Sequence, residues 1–179
     1  MLIDLSRVLT HEGKKINVEV EPDQASGSKH YVCDLGKFKY AEKSPISLTI
    51  THTENQVVKI CGTGQVSLWM PCARCLEPVK YTFDIDIDEE VDMKLTDHDR
   101  IEALDENSYI QGRELDTDEL LHNEILISWP MQVLCKENCK GICSRCGANL
   151  NQGSCDCDTA DLDPRMAVIS DIFKNFKEV

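Results

Sequence analysis

Aromatic residues are scarce in this 179-residue chain, at 6% of the sequence, and long apolar runs are missing altogether. A membrane-spanning helix needs about 20 consecutive apolar residues. No stretch approaches that, so no membrane partner is expected. The opening residues, Met1-Leu-Ile-Asp-Leu-Ser-Arg7, place an acid near the start and have no basic stretch followed by a long apolar core. They do not read as a secretory signal. The expected compartment is therefore the cytoplasm, where thiols stay reduced. Histidine is also sparse: His11, His30, His52, His98 and His122 are scattered, without the spacing of paired ligands. There is no glycine loop to cradle a phosphate and no nucleophile elbow with partner residues. Together these absences leave an enzymatic reading without support.

Bases are in deficit too, with 19 Lys and Arg against 32 Asp and Glu and a formal net charge of -13. The deficit is local. Residues 84–119 hold fifteen acids and three bases, while the flanking parts are near neutral. An acidic belt of this kind is most simply a solvated face. It repels phosphates and attracts a basic partner protein. Asp84, Asp86 and Asp88 project from one predicted strand face, but they lack the glycine turn of a calcium loop.

What is present is an ordinary apolar content, 41%, enough for a hydrophobic core. Residues 4–9 predict a turn of helix, and Ile16, Val18 and Val20 alternate as a short strand. Ile46, Leu48 and Ile50 alternate likewise. Val58 and Ile60 lead through Gly62-Thr-Gly64 into Val66, Leu68 and Met70, so the glycine pair predicts a bulge or bend within a long strand. After a turn over residues 71–78, Val79, Tyr81, Phe83, Ile85 and Ile87 point one way, with Lys80, Thr82, Asp84, Asp86 and Asp88 opposite. That alternation describes an antiparallel hairpin with one wet face.

Residues 97–113 read as an acidic loop. Asp116-Thr-Asp-Glu119 has capping-box spacing and predicts a helix start. Leu120, Leu121, Ile125 and Ile127 supply its apolar side, and Pro130 ends it. Asp163-Pro164-Arg165 places an N-cap acid before an N1 proline. Met166, Ile169, Ile172, Phe173 and Phe176 then follow at helical spacing as a terminal amphipathic helix. The expected class is α+β: a mainly antiparallel β-sheet with a few helices and a C-terminal zinc-knuckle module. The expected division is 1–134 for the sheet domain and 135–179 for the cysteine-rich module with its terminal helix.

Cysteine is the abundant chemistry. Six of the ten cysteines lie within residues 135–157, and all six are closely spaced. In a reducing compartment, paired cysteines read as metal ligands before disulfides. Cys143-x2-Cys146-Gly147 is the sharpest unit, because the glycine lets backbone amides turn toward the sulfurs. Cys155-x-Cys157 supplies a second pair across a loop with Asn149, Asn151 and Gly153, residues suited to turns. Four thiolates close a structural zinc site and leave no open coordination position. Cys135-x3-Cys139 and Cys72-x2-Cys75 are then left over, and together they form a second set of four. The second set has looser spacing, and Leu76 stands where glycine follows Cys146. The rival partitions are one zinc with spare cysteines, or a binuclear cluster. Dithiol redox chemistry at Cys72/Cys75 is disfavoured, since that chemistry starts a helix and this pair caps a hairpin. Cys33 and Cys61 stand alone and read as small buried hydrophobes.

The run Leu134-Cys135-Lys-Glu-Asn-Cys139-Lys-Gly-Ile-Cys143-Ser-Arg-Cys146-Gly147-Ala-Asn-Leu150 resembles the C-terminal signature of the YceD family, described as large ribosomal RNA subunit accumulation proteins. Asp163-Pro164-Arg165 and Pro71-Cys72-Ala-Arg74-Cys75-Leu76 extend the resemblance. It implies a non-enzymatic factor in ribosome biogenesis that supports large-subunit (23S) ribosomal RNA, with the RNA or a pre-ribosome as partner. The runner-up is a zinc-stabilised adaptor that binds a basic protein through the acidic segment. Any direct RNA contact would use bases away from the belt: Arg74, Lys136, Lys140, Arg145 and Arg165.

Overall fold

The computed structural model describes residues 1–22, 27–95, 98–99 and 108–157. Among them lie the strands β1 Leu2–Asp4, β2 Lys15–Val20, β3 His30–Cys33, β4 Gly36–Lys43, β5 Ile46–His52, β6 Val57–Pro71, β7 Pro78–Asp92, β8 Ile110–Gln111 and β9 Glu114–Asp116 and the helix α1 Thr117–Ile127, and His98 and Asp99 are helical as well. Short 3-10 turns occupy Leu5–Arg7 and Glu54–Gln56. Every strand pairing is antiparallel. The architecture is α+β, as the alternating patterns predict. The predicted terminal helix, with Asp163-Pro164-Arg165, lies outside the described residues.

Strand β6 organises the large sheet. Along one edge it pairs with β7 over its whole length, from Val57↔Asp92 to Pro71↔Pro78. Along the other edge its first half pairs with β5, from His52↔Val58 to Ser47↔Thr63. Its second half pairs with β4, from Lys43↔Val66 to Lys39↔Trp69. Outside these, β2 flanks β5 and β3 flanks β4. One face carries Ile46, Leu48, Ile50, Val58, Ile60, Val66, Leu68, Phe83, Ile85 and Ile87, all buried in a single core. Leu120, Leu121 and Ile125 of α1 join that core, and Trp129 packs against Phe38, Phe83 and Tyr31 just beyond the helix.

Four expectations change. The glycine pair makes no bulge, because the register runs unbroken through Gly62 and Gly64 on the β7 side. The register shift falls in β4, between Tyr40 and Glu42. The glycines serve packing instead. A Cβ on Gly62 would collide with Leu48 Cδ2, and one on Gly64 would collide with Ile46 Cγ1. Second, the end of the expected acidic loop is ordered, because β8 and β9 form a hairpin through Gly112 (φ 62°) and pair onward with β1. Third, the helix start is capped on one side only. Asp116 accepts from the Asp118 amide at 3.0 Å, but its own amide donates to Tyr109 O, and Glu119 accepts from Ser108 Oγ. The lone cysteines are also only half-buried. Cys61 lies on the wet face, where its thiol meets Asp88 Oδ1 at 3.4 Å. Asp84 and Asp88 are engaged there by Gln65 and Lys59.

Candidate metal centres

The β6–β7 hairpin closes at Pro71↔Pro78, and the tip between them carries Cys72-Ala-Arg74-Cys75-Leu76-Glu77. The tip folds back on itself: Leu76 N donates to Cys72 O at 3.0 Å and Cys72 N to Glu77 O at 2.8 Å. To bring its amide round, Leu76 enters the left-handed region at φ 62°. After Pro130 the chain runs beside this tip. Ala73 N donates to Val133 O at 2.8 Å, and Cys135 N points at Cys72 Sγ at 3.4 Å. A turn closed by Cys139 N and Lys136 O then returns Cys139 to the same place. Cys72 Sγ lies 3.8 Å from Cys139 Sγ, and Cys75 Sγ lies 3.5 Å from Cys135 Sγ.

The second group repeats this design. Gly147 N donates to Cys143 O at 2.9 Å, with Gly147 at φ 72°. Cys143 N bonds Ala148 O, Leu150 N bonds Gly141 O, and an antiparallel bridge joins Ile142 to Asn149. Cys155 and Cys157 arrive from across the loop. In each group, Cys72/Cys75/Cys135/Cys139 and Cys143/Cys146/Cys155/Cys157, the four sulfurs lie within 4.8 Å of one another. These are the two sets of four that the spacing pairs.

The distances fit a tetrahedral ion. Four sulfurs about 2.3 Å from a central zinc stand about 3.8 Å apart. A disulfide would need about 2.05 Å. The electrostatics agree. The amides of Cys75, Arg74 and Cys135 pull the Cys72 thiol down to about 6, and those of Cys146 and Arg145 do the same for Cys143. The Asn151 side chain and the Gly141 amide lower Cys139. Other members move the opposite way. Burial and the neighbouring Cys75 push Cys135 up to about 12, and a hydrogen bond to Cys146 together with burial takes Cys157 to about 12. Cys75 and Cys155 also rise, because crowded sulfurs and burial outweigh the amides of Glu77 and Cys157 that aim at them. Two thiolates in the first group and one in the second thus form readily, and Cys75, Cys135, Cys155 and Cys157 are held back. A cation among them removes that obstacle. Both groups of four could hold metal ions.

Asparagine ties the two groups together. Asn151 Nδ2 donates to Cys139 Sγ at 3.3 Å, and Asn151 Oδ1 accepts from Lys140 N at 2.9 Å. Glu77, on the hairpin tip, accepts from Asn149 Nδ2 at 2.8 Å and Gln152 Nε2 at 3.0 Å. The sequence reading assigned Asn149 and Asn151 to turn formation alone. Of the two, Asn151 faces a sulfur while Asn149 donates to Glu77 and accepts from Asn151, and their spacing carries no signal of either contact. Of the expected basic contacts, Arg74 directs Nη1 to Cys139 O at 2.9 Å, which spends part of its guanidinium on the clamp. Lys136, Lys140 and Arg145 are exposed. Arg165 lies outside the described residues.

A wholly antiparallel sheet whose longest hairpin is gripped at its tip by the chain's own cysteine-rich segment defines a class: a sheet protein with thiol-clamped knuckles. Within that class the chain belongs to the YceD family, since the model of the family, described as large ribosomal RNA subunit accumulation protein YceD, matches residues 60–173. That span contains all eight clustered cysteines. The chain is also similar to the Arabidopsis thaliana protein named large ribosomal RNA subunit accumulation protein YCED homolog 1, chloroplastic, at 44% identity over 45 residues. The match covers 25% of this chain and 13% of that relative. No solved structure matches the chain. Among the described residues, no helix is long and apolar enough to cross a membrane.

Proposed function

We propose that this protein is a non-enzymatic ribosome-biogenesis factor supporting the accumulation of large-subunit ribosomal RNA, built on two structural zinc ions. The observation that carries the reading is the pair of four-thiol groups inside a span matched by a family with that name. Each group offers four sulfurs and no open position, so a bound ion would hold the fold and leave no site for substrate. Cys72, Cys75, Cys135 and Cys139 would fix the sheet's hairpin to the C-terminal segment. Cys143, Cys146, Cys155 and Cys157 would build the knuckle beyond it. Because the first set draws two cysteines from each side of residue 134, the division into 1–134 and 135–179 is one of roles, not of independent folding. Lys136, Lys140 and Arg145 would face the RNA or pre-ribosome, with Arg74 partly engaged in the clamp. A reducing compartment, the cytoplasm or an equivalent stroma, suits ten unpaired thiols.

The test is depletion in cells. Large-subunit ribosomal RNA should fall relative to small-subunit RNA, and the parent chain should restore it while Cys72→Ser/Cys139→Ser should not. An unchanged RNA ratio on depletion would falsify the proposal. The adaptor reading draws on Asp84, Asp86, Asp88 and Glu90, which are exposed along β7. It would be favoured if neutralising those four acids released a basic ribosomal protein while RNA association persisted.

A further inference from the structure

We infer that the wet face of the large sheet, beside the cysteine clamp, is a stacking platform for single-stranded RNA, with Trp69 receiving a base and Lys37, Lys39 and Lys80 receiving phosphates. The inference rests on the ribosomal-RNA reading above and gives it a contact surface that the knuckle bases do not supply.

Trp69 is the anomaly that leads there. It sits on the polar face of β6 and is 41% exposed, although Trp129, the chain's second tryptophan, packs against the core. Register places its neighbours directly. Lys39 lies opposite it on β4, Lys80 opposite it on β7, and His30 opposite Lys39 on β3. Directly opposed residues share a face with Cβ atoms about 4.5–5.5 Å apart. The row His30–Lys39–Trp69–Lys80 therefore runs across four strands, with Lys37 two residues along β4 on the same face. Both neighbouring strands pair with the backbone at Trp69, and Cys72 begins the clamp three residues later, so the indole is carried on a rigid support.

Charge complementarity selects the occupant. In a chain with 32 acids and 19 bases, three lysines surround this indole. The acid beside the lysines on this face is Glu42, 2.6 Å from Lys80 Nζ. Further along the same face of β7, Asp84, Asp86, Asp88 and Glu90 follow at every second position, with Lys59 paired to Asp88 and Glu90. One face thus grades from basic and aromatic near the clamp to acidic at the far end. A nucleic-acid strand is drawn to the first and repelled from the second. A protein-docking patch would centre the tryptophan in a broad apolar surface. Here Pro71 and Pro78 are its apolar same-face neighbours at the hairpin's end, and the other positions around it are Lys37, Lys39, Lys80, Ser67 and Thr82. Aromatic stacking flanked by cations is the sequence-tolerant chemistry of single-strand binding, and unpaired RNA presents the exposed bases it needs.

The experiment titrates the purified zinc-loaded chain into a short unstructured oligoadenylate carrying a fluorophore and reads anisotropy over a salt series. Trp69→Ala should weaken binding roughly five- to 150-fold, and Trp69→Phe should stay within a few-fold of the parent. Lys39→Gln should lower the salt slope by about 0.7. Glu42→Gln should tighten binding, because it removes the acid and frees Lys80. Circular dichroism and metal content establish that each variant is folded. Equal binding by parent and Trp69→Ala overturns the platform, as does loss of binding confined to Lys136→Gln and Lys140→Gln. A parent that does not bind the oligonucleotide overturns it as well. None of these outcomes touches the accumulation role, which stands or falls with the depletion result.

Discussion

Leu76 and Gly147 occupy equivalent turns, each sending its amide back to the carbonyl of the first cysteine in its pair, and each at positive φ, 62° and 72°. An L-residue in that region costs about 1–2 kcal/mol, whereas glycine loses about 0.5–1 kcal/mol through its freer unfolded chain. Leu76 is 63% exposed, so its side chain recovers little by burial. Leu76→Gly should therefore stabilise the protein by about 0.5–1 kcal/mol, a rise of a few degrees in Tm. Gly147→Leu should lower Tm by a similar amount. Thermal melts of the two variants, read side by side, check the opposite signs. At Gly62 and Gly64 the argument concerns space. A Cβ on Gly62 would meet Leu48 Cδ2, the end of a side chain that can rotate, and Ser47 O at 3.1 Å. One on Gly64 would meet the root of Ile46, its Cγ1, its Cβ at 3.1 Å and its Cα at 3.2 Å. Both alanine substitutions should destabilise, by about 1–3 kcal/mol, and Gly64→Ala should cost more in denaturant melts. Nothing local in the sequence distinguishes a glycine that bends a strand from one that makes room for a neighbour, because the neighbour, Ile46, lies on another strand.

At the scale of elements, α1 rests on β7 with its acids toward the strand's own acids. Partial burial first, then Glu89 and Asp86, raise the Glu124 carboxyl above its usual range. A carboxyl raised on folding favours the native state below its unfolded pKa, and that advantage is lost as pH climbs through the folded one. Glu124→Gln should accordingly raise Tm at neutral pH, with the gap over the parent closing as the solution is acidified below the carboxylate range. A gap of constant size across pH would sink this account. The long strands were legible because β5, β6 and β7 turn every second residue into the core, as β2 does more weakly with Ile16 and Val18 half-buried, and that period is written in the sequence. The pair β3 and β4 carries a weaker version, with Phe38 and Tyr40 alternating with Lys37 and Lys39. The run is short and half-buried, so its period does not stand out. Strands β1, β8 and β9 are two or three residues each. Their existence depends on Leu2 meeting Asp116 across the length of the chain, which no local window reports.

At the scale of the whole molecule, two bodies of packing are joined: the sheet core, and a separate cluster formed by Cys72, Cys75 and Cys139 with Val79 and Leu134 against it. The grouping of thiols could be anticipated because ligand spacing is local and the arithmetic of pairs leaves few partitions. The joining amides of Asn149, Asn151 and Gln152 could not, because they act across a fold that spacing does not describe. A structural zinc contributes about 10–16 kcal/mol of apparent binding free energy at neutral pH, comparable to the 5–15 kcal/mol that holds a typical domain together. The sheet has its own core, so chelation should release residues 133–157 while β5, β6 and β7 keep their amide-exchange protection. Loss should also be ordered. Three of the first group, Cys72, Cys75 and Cys139, are almost fully buried, at 0%, 5% and 3% exposure, with Cys135 exposed, whereas the second group has one buried member, Cys143, with Cys146 exposed and Cys155 and Cys157 half-buried. Native mass spectrometry during timed chelation should show two metals, then one, then none, with the second group emptying first. Asn151→Ala removes the donor to Cys139 Sγ and the acceptor for Lys140 N together, and loss of such a supporting contact typically costs 10–100-fold in metal affinity. The later step should therefore quicken in that variant, bringing the two losses together. If two well-separated steps persist with the rate of the second unchanged, the two groups are independent and the asparagine link carries no energy.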